Sequence, residues 1–200
     1  MKKNWSNLFG NRLVSNIDLP SLLLSTDSVL VKIPSNLYNQ STSFIPSVLK
    51  DHNLCYVTLN KTYNSLKLRF EKEKILSDRI VFIDAITKSM EPVENTQDCY
   101  FVSSPQALTE LSIVTSEFLS QNIDFVILDS LTTLLIYQKN VDSVVKFVTK
   151  MVNTSKKENS HMIFFVLDTS EHQLLIEESS MVMDAVYTLS EDTLSVPSSV

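Results

Sequence analysis

The strongest constraint on the fold of this chain is a series of short, continuous apolar runs that alternate with segments of helical period. The runs are rich in β-branched residues and cover 28–33, 54–59, 79–84, 124–130 and 161–168. A strand that is apolar at every position is buried on both faces, which is typical of a parallel sheet covered by helices. The pattern therefore predicts an α/β fold with three layers, α/β/α, around a mostly parallel central sheet.

The segments between these runs carry apolar residues three or four positions apart, which predicts helices at 41–52, 62–76, 104–121, 141–157 and 171–182. For the third of these helices, Ser104 is predicted as the N-cap and Pro105 as the first helical residue. Two further strands are predicted at 99–103 and 183–190, and a polar loop at 87–98 precedes the first of them.

The length and composition of the chain indicate one domain. Its 200 residues are 44% hydrophobic and have a mean hydropathy of +0.06, as expected of a soluble globular protein. We predict a single domain over 14–190, an N-terminal segment over 1–13 and a flexible tail over 191–200. Trp5 and Phe9 lie outside the core pattern, so they dock either on the chain's own sheet or on a partner.

The net charge and the lengths of the apolar runs indicate where the protein is located and whether it binds membranes or nucleic acids. A net charge of −6 and a pI of about 5.1 provide no global attraction to nucleic acid or to an anionic membrane. No apolar run is long enough to span a bilayer, and the N-terminus lacks the apolar core of a signal peptide. Cys55 and Cys99 lack metal-binding spacing, so a zinc site is not expected. A cytoplasmic location without membrane or nucleic-acid partners is therefore expected.

Three of the buried runs have an acidic residue at or next to their carboxyl end, at Asp84, Asp129 and Asp168. Parallel sheets place ligand sites at the carboxyl ends of their strands. Two interpretations fit these residues. In one, the carboxylates form a cluster that binds a metal or raises one carboxyl pKa; in the other, each caps a turn or a helix start.

Glycine is almost absent from this sequence. The chain contains one glycine, Gly10, whereas average usage predicts roughly 14 in this length. Glycine is the residue that best adopts positive φ and lets the backbone approach a ligand closely. We therefore expect the turns to use Asn, Asp, Ser and Pro, and we expect no glycine-rich phosphate loop.

Several segments, taken in order, carry a family resemblance. They read SVLVKI, LCYVTLNKTYNSLKLRFE, VFIDAITKSM, SPQALTELSIVTSEFLSQNIDFVILDSLTTLL, MIFFVLD and MDAVYTL. Over 14–190 their order and spacing resemble the RecA-like ATPase core of the KaiC and archaeal RadA type. The fourth segment resembles the helix and the Walker B strand of that family. The resemblance implies a RecA-like core, and it is strongest to archaeal KaiC-like proteins with a degenerate Walker A motif.

The phosphate loop of that family reads G-x-x-x-x-G-K-[ST], and this chain departs from it. The corresponding segment, 34–44, reads PSNLYNQSTSF, so that Asn39, Gln40 and Ser41 stand in for Gly, Lys and Ser/Thr if one residue is inserted. The neutral Gln40 loses a charge-assisted phosphate contact worth about 1.5–3 kcal/mol. Tyr38 and Asn39 carry Cβ atoms where the family's backbone amides approach phosphate.

The resemblance also implies an acidic residue after the second strand that polarises the attacking water. This chain has Asn60 and Lys61 there, and neither is a general base at neutral pH. We therefore expect no ATP hydrolysis and assign no catalytic residue. What remains of the family's nucleotide site is a vestigial set at Gln40, Ser41, Thr42, Asp129 and Ser130, with Asp129 as the metal ligand.

Asp129 has two interpretations. With Ser130 it retains magnesium coordination for an unusual mode of nucleotide binding; alternatively, it is a structural acceptor for backbone amides or for the hydroxyls of Ser41 or Thr42. Magnesium alone usually needs phosphate oxygens to complete its coordination shell.

Three functional hypotheses follow. The first is a non-catalytic RecA/KaiC-like domain without a cofactor, which acts as a regulatory or signalling module by binding itself, an active KaiC-like ATPase or another protein. The second is a switch that binds ATP and magnesium weakly, or an ATPase with a non-standard phosphate loop. The third is a DNA-associated RadA-like paralogue, which the acidic charge disfavours. Stabilisation by nucleotide would favour the second, and salt-sensitive retention of DNA the third.

Overall fold

The computed structural model describes residues 19–75 and 78–194, and these residues contain one seven-stranded sheet. Its strands are β1 Ser28–Ile33, β2 Leu54–Thr58, β3 Ile80–Asp84, β4 Cys99–Phe101, β5 Phe125–Asp129, β6 His161–Leu167 and β7 Ala185–Thr188. The strands lie in the order β4–β3–β2–β5–β6–β1–β7, and every neighbouring pair in this sheet is parallel. The predicted parallel sheet is confirmed.

Helices cover both faces of the sheet. They are α1 Leu19–Ser25, α2 Tyr38–Val48, α3 Tyr63–Lys72, α4 Leu108–Leu119, α5 Leu131–Gln138, α6 Val141–Glu158, α7 Gln173–Ser180 and α8 Glu191–Leu194. Short 3-10 turns lie at Ser35–Leu37, Thr87–Ser89 and Ser170–His172. The first three helices and α8 pack on one face, and α4 to α7 pack on the other. This arrangement confirms the predicted three-layer α/β/α architecture.

The continuous apolar runs form strands whose side chains contribute to two hydrophobic cores, one on each face of the sheet. Along β2, consecutive side chains point to opposite faces of the sheet. Cys55 and Val57 belong to the core beneath α4 to α7, and Leu54 and Tyr56 belong to the core beneath α1 to α3. All four side chains are fully buried, as a strand covered on both faces requires.

Helix α4 begins later than predicted, so the assignment of Ser104 as its N-cap is wrong. The helix starts at Leu108, and its N-cap, Ala107, has φ −80° and ψ 61°. The Ser104 hydroxyl instead accepts a hydrogen bond of 3.1 Å from the Gln106 amide, inside a turn. Gln138 of α5 donates to the Gln106 carbonyl at 3.1 Å. These contacts stabilise a turn where the sequence predicted the first helical residues.

Helix α5 was not predicted, because it follows β5 within one continuous apolar stretch. Its start is defined by Ser130, which has extended backbone angles and accepts a hydrogen bond of 3.3 Å from the Thr133 amide. Its end is defined by Lys139, whose left-handed conformation directs its amide to the Leu135 carbonyl at 2.7 Å. A serine N-cap inside an apolar run was the signal for this helix.

Left-handed backbone conformations occur without glycine in the described residues. Positive φ angles are found at Lys74 (57°), Asn122 (61°), Lys139 (55°) and Asn159 (54°). The two asparagines confirm the expectation that Asn replaces glycine in turns. The two lysines were not predicted. They adopt a backbone conformation that is sterically unfavourable for residues with a Cβ atom.

The two ends of the chain lie largely outside the described residues. The predicted N-terminal segment with Trp5 and Phe9 falls in 1–18 and stays a prediction. Of the predicted tail, Glu191–Leu194 forms α8, whose Leu194 packs against the core, and 195–200 lie outside the described part. None of the helices described here is long and apolar enough to cross a membrane.

Candidate functional site

The candidate site lies at the carboxyl ends of β2 and β5, beside the first residue of α2. After β2 the chain continues to β3 on one side, and after β5 it continues to β6 on the other. Such a point, where the connections of neighbouring strands diverge, forms a crevice that commonly holds ligands. Here the crevice brings together Asp129 at the end of β5, Asn60 after β2 and Tyr38 at the start of α2.

The Asp129 carboxylate is fully buried, and hydrogen bonds from this chain occupy both its oxygens. Tyr56 donates its hydroxyl to Oδ2 at 2.6 Å. Tyr38 donates its hydroxyl to Oδ1, and the Asn60 amide donates to the same oxygen at 3.3 Å. Asn60 also donates to the Tyr38 hydroxyl. We refer to Asp129, Tyr38, Tyr56 and Asn60 as the Asp129 cluster.

The electrostatics of the cluster follow from burial. Burial raises the pKa of the Asp129 carboxyl, while hydrogen bonds from Tyr38 and Tyr56 and the charge of Lys61 act in the opposite direction. Burial, followed by the negative charge of Asp129, also raises the pKa of both tyrosine hydroxyls. The two phenols therefore stay protonated at neutral pH and serve as hydrogen-bond donors to the carboxylate.

Lys61 places an ammonium group beside the start of α2. Its Nζ lies 3.2 Å from Asn39 Oδ1 and 3.5 Å from Thr42 Oγ1. It also lies 5.2 Å from the centre of the Tyr38 ring, within the range of a cation–π interaction. Burial lowers the Lys61 pKa, and the charge of Asp129 partly counteracts that effect. Lys61 thus holds the first turn of α2 and the Tyr38 ring in place over Asp129.

Of the residues predicted as vestigial nucleotide ligands on α2, none donates to Asp129. Gln40 is exposed. The Ser41 hydroxyl donates to the Leu37 carbonyl at 2.7 Å, and the Thr42 hydroxyl donates to the Asn39 carbonyl at 2.9 Å. The expectation that Ser41 or Thr42 donates to Asp129 is therefore wrong, because the Ser41 hydroxyl bonds to the turn before α2 and the Thr42 hydroxyl bonds within α2.

Ser130 follows Asp129 in the sequence, and its side chain caps the N-terminus of α5. Besides capping that helix, its hydroxyl lies 3.1 Å from Thr133 Oγ1. The peptide bond between Asp129 and Ser130 is cis. Ser130 is 1% exposed, so its hydroxyl is a structural group of the β5–α5 connection.

The connection from β1 to α2 is a tight turn. It consists of Pro34 and the 3-10 turn Ser35–Leu37, in which the Leu37 amide donates to the Pro34 carbonyl at 2.9 Å. Leu37 is buried, and Tyr38 already has helical backbone angles of −53° and −49°. The backbone here forms helical turns, where a phosphate loop would present an open row of amides.

The other strand-end aspartates serve separate structures. Asp84 accepts hydrogen bonds from the amides of Tyr63 at 2.6 Å, Ile86 at 2.6 Å and Thr87 at 2.9 Å. Asp168 lies 3.4 Å from the Lys32 ammonium. Across residues 19–75 and 78–194, no group of three acidic, histidine or cysteine side chains is arranged to hold a metal. The turn-capping interpretation is confirmed for Asp84, and the structure does not form the carboxylate cluster.

Sequence reasoning missed the donors of the Asp129 cluster. The sequence pattern places Tyr56 only in an apolar strand, and it indicates Tyr38 only as an obstacle to phosphate. A buried tyrosine normally needs a partner for its hydroxyl. A tyrosine in the fully apolar run of β2, in a sheet that also contains Asp129, was therefore the available signal.

Comparison with known proteins supports the fold. No family model matches the sequence, and no curated protein matches it. The structure is similar to that of a KaiC-like protein from the hyperthermophilic archaeon Pyrococcus horikoshii OT3, with a TM-score of 0.53 and 12% sequence identity. The similarity covers 82% of this chain and 70% of that one. Sequence identity this low shows the fold alone, and the fold is the RecA-like α/β/α architecture.

Proposed function

We propose that this chain is a non-catalytic RecA-like domain that works through contacts with other proteins, as a regulatory or signalling module. The observation that carries the proposal is the Asp129 cluster. The buried carboxylate at the end of β5 has both oxygens engaged by hydroxyls of the chain itself, from Tyr38 and Tyr56.

The cluster does not fit a magnesium ion. Mg²⁺ requires near-octahedral oxygen coordination, usually with carboxylates, waters and phosphate oxygens. To reach Asp129, the ion would have to displace the Tyr38 hydroxyl from Oδ1. Binding through Oδ2 would likewise displace the Tyr56 hydroxyl, whose side chain is fully buried.

The start of α2 does not fit a triphosphate. The position of the family's phosphate-loop lysine holds the neutral, exposed Gln40. In the preceding 3-10 turn Ser35–Leu37, the Leu37 amide is bonded to the Pro34 carbonyl at 2.9 Å. The Lys61 ammonium is nearby, but it is bonded to Asn39 and Thr42. These features support a domain that binds nucleotide poorly or not at all.

ATP hydrolysis would also need a general base to activate the attacking water. The residue after β2 that would need a carboxylate is Asn60, and its amide is bonded within the cluster. An amide side chain does not remove a proton from water at neutral pH.

Exposed apolar residues provide surfaces for protein contacts. Ile136 on α5 is 64% exposed, Leu174 on α7 is 56% exposed, and Met181 directly after α7 is 78% exposed. All three belong to the helical layer on the α4-to-α7 side of the sheet. We propose a second copy of this chain, or an active ATPase of the KaiC-like type, as the partner, and the fold similarity to a KaiC-like protein supports the second choice.

The proposal is tested by thermal unfolding with and without millimolar ATP and magnesium. A ligand present at 100 times its dissociation constant adds about 2.7 kcal/mol of stability. For a chain of this size, that corresponds to a rise in Tm of about 5–10 °C. We expect no rise for the wild type or for Asp129→Ala.

A rise in the wild type that Asp129→Ala abolishes would favour a nucleotide-binding switch and contradict the proposal. Self-association is tested separately by sedimentation velocity over a concentration series. If the α5 surface mediates it, Ile136→Glu should shift the equilibrium towards monomer.

A further inference from the structure

A groove opens beside the β4 edge of the sheet, along the outer surface of α4. It has a volume of about 550 Å³, and its lining includes Tyr100, Leu108, Glu110, Ile113, Val114 and Glu117. Ile113 is 51% exposed at this surface. The groove lies on the opposite face of the sheet from α1, α2 and α3, away from the Asp129 cluster.

The groove is apolar at its base and acidic at its rim. Leu108, Ile113 and Val114 supply the apolar surface, while Glu110 and Glu117 supply two carboxylates from α4. Among the described residues, no basic side chain lines it. A segment that presents apolar side chains together with positive charge is complementary to such a surface.

The neighbouring sheet edge is closed to an added strand. The Phe101 amide of β4 donates to the Asn95 side chain at 2.9 Å, and the Thr96 amide donates to the Cys99 carbonyl at 2.9 Å. The chain's own loop therefore covers the backbone of β4 at these positions. An occupant of the groove has to bind through its side chains, as an amphipathic helix does in a hydrophobic groove.

The N-terminal residues of the same chain have the required chemistry. Within 1–18, apolar residues recur at helical spacing at Trp5, Leu8, Phe9 and Leu13, and the charged residues are Lys2, Lys3, Arg12 and Asp18. This segment has a net charge of +2, whereas the whole chain has −6. We propose that 1–18 docks in the α4 groove of its own molecule, with Trp5 and Phe9 against Ile113 and the basic residues facing Glu117.

The segment joins the domain at Leu19, the first residue of α1, which packs against β6. The ten steps from Phe9 to Leu19 span about 33 Å when fully extended. A tether of this length keeps the segment near its own molecule, which favours docking there over docking on a second copy.

Trp5 is the single tryptophan of the chain, so its fluorescence reports docking directly. We expect the emission maximum of the folded chain to lie at shorter wavelength than that of a synthetic peptide of residues 1–18. Ile113→Glu and Glu117→Lys should each shift the emission to that of the peptide and increase acrylamide quenching. Leu174→Glu is the matched control, because Leu174 is similarly exposed on α7 and should leave the emission unchanged.

Three results would overturn the proposal. The wild-type emission could equal that of the peptide, it could be insensitive to both groove substitutions, or it could depend on protein concentration. The last result would place the segment on a second copy. Circular dichroism verifies that each variant is folded. The readout does not involve nucleotide, so it is independent of the function proposed above.

Discussion

Asp84 and Asp129 are a matched pair of buried carboxylates that the structure holds in different ways. They end β3 and β5, the two neighbours of β2, and both have Thr58 as their partner in register. Residues in register on parallel strands point to the same face. Both are fully buried. Asp84 accepts from three backbone amides and one hydroxyl, whereas the donors to Asp129 are side chains.

The difference shows how the same residue type at equivalent positions serves two purposes. The donors to Asp84 belong to the first residue of α3 and to the turn after β3, so this carboxylate fixes local backbone structure. The donors to Asp129 come from three places: Tyr38 on α2, Tyr56 on β2 and Asn60 in the following loop. This carboxylate therefore holds separate elements together across the crevice. Backbone amides cannot leave their positions, but side-chain donors can rotate to other acceptors.

The largest effect is expected from Asp84→Ala. Each buried polar group left without a partner costs about 1–3 kcal/mol, so the free energy of unfolding should fall by about 3–5 kcal/mol. Asp129→Ala should cost less, about 1–3 kcal/mol, because the half-buried Tyr38 hydroxyl can bond to water. Urea unfolding monitored by circular dichroism measures both. Equal losses in the two variants would show that the type of donor does not matter.

Asparagine at each position should sharpen the contrast. In Asp84→Asn, one amide NH₂ replaces an acceptor and faces backbone donors, so we expect a loss of about 2–3 kcal/mol. In Asp129→Asn, a tyrosine hydroxyl can rotate to accept from the new NH₂, so stability at pH 7 should change by less than about 1 kcal/mol. The same urea experiment, performed on both variants, gives the comparison. A larger loss of unfolding free energy for Asp129→Asn than for Asp84→Asn would contradict this expectation.

Removing single hydroxyl groups separates the contributions of the Asp129 donors. Tyr56→Phe should cost about 1.5–3 kcal/mol, because its hydroxyl donates to a charged group and is fully buried. Tyr38→Phe should cost about 1 kcal/mol, because water can replace a half-buried donor. Tyr187→Phe is the control: its hydroxyl lies 3.2 Å from Thr193 Oγ1, a neutral partner, and we expect about 0.5 kcal/mol.

The last expected effect is a pH dependence specific to Asp129. Its pKa is raised above the ordinary value of 3.8, so the folded state binds more protons than the unfolded state between the two values. The stability contribution of Asp129 is therefore greatest at low pH and falls as pH rises through its folded pKa. The slope is at most about 1.4 kcal/mol per pH unit.

This effect is measured as the difference in unfolding free energy between the wild type and Asp129→Asn from pH 4 to pH 8. As pH rises, the wild type should lose stability relative to the Asp129→Asn variant, because the amide does not titrate. A difference that is constant over this range would show that the folded and unfolded pKa values of Asp129 are the same.

The sequence was sufficient to predict the sheet and its layers, because apolar runs and helical periods report burial directly. It was less informative at boundaries set by tertiary contacts. Helix α4 begins at Leu108 because Ala107 leaves the helical region and Gln138 bonds to the turn before it. Helix α5 was missed because only Ser130 separates it from the apolar strand β5.

The position of Asp129 could be predicted from the sequence, but its partners could not. Parallel pairing places the ends of β2 and β5 side by side, so proximity of Asn60 to Asp129 follows from topology. The contact with Tyr38 depends on where α2 begins, and α2 begins three residues before the predicted start. Pairing of a buried hydroxyl with a buried carboxylate depends on side-chain directions that apolar periodicity does not encode.

The Asp129 cluster also has an evolutionary consequence. A substitution that removes Tyr38 and opens space above Asp129 also removes a donor from a buried carboxylate. The variant would lose stability before any added glycine or lysine provided a ligand contact. For a lineage that changes one codon at a time, variants without Tyr38 are less stable than this sequence, so selection for stability alone favours keeping the cluster.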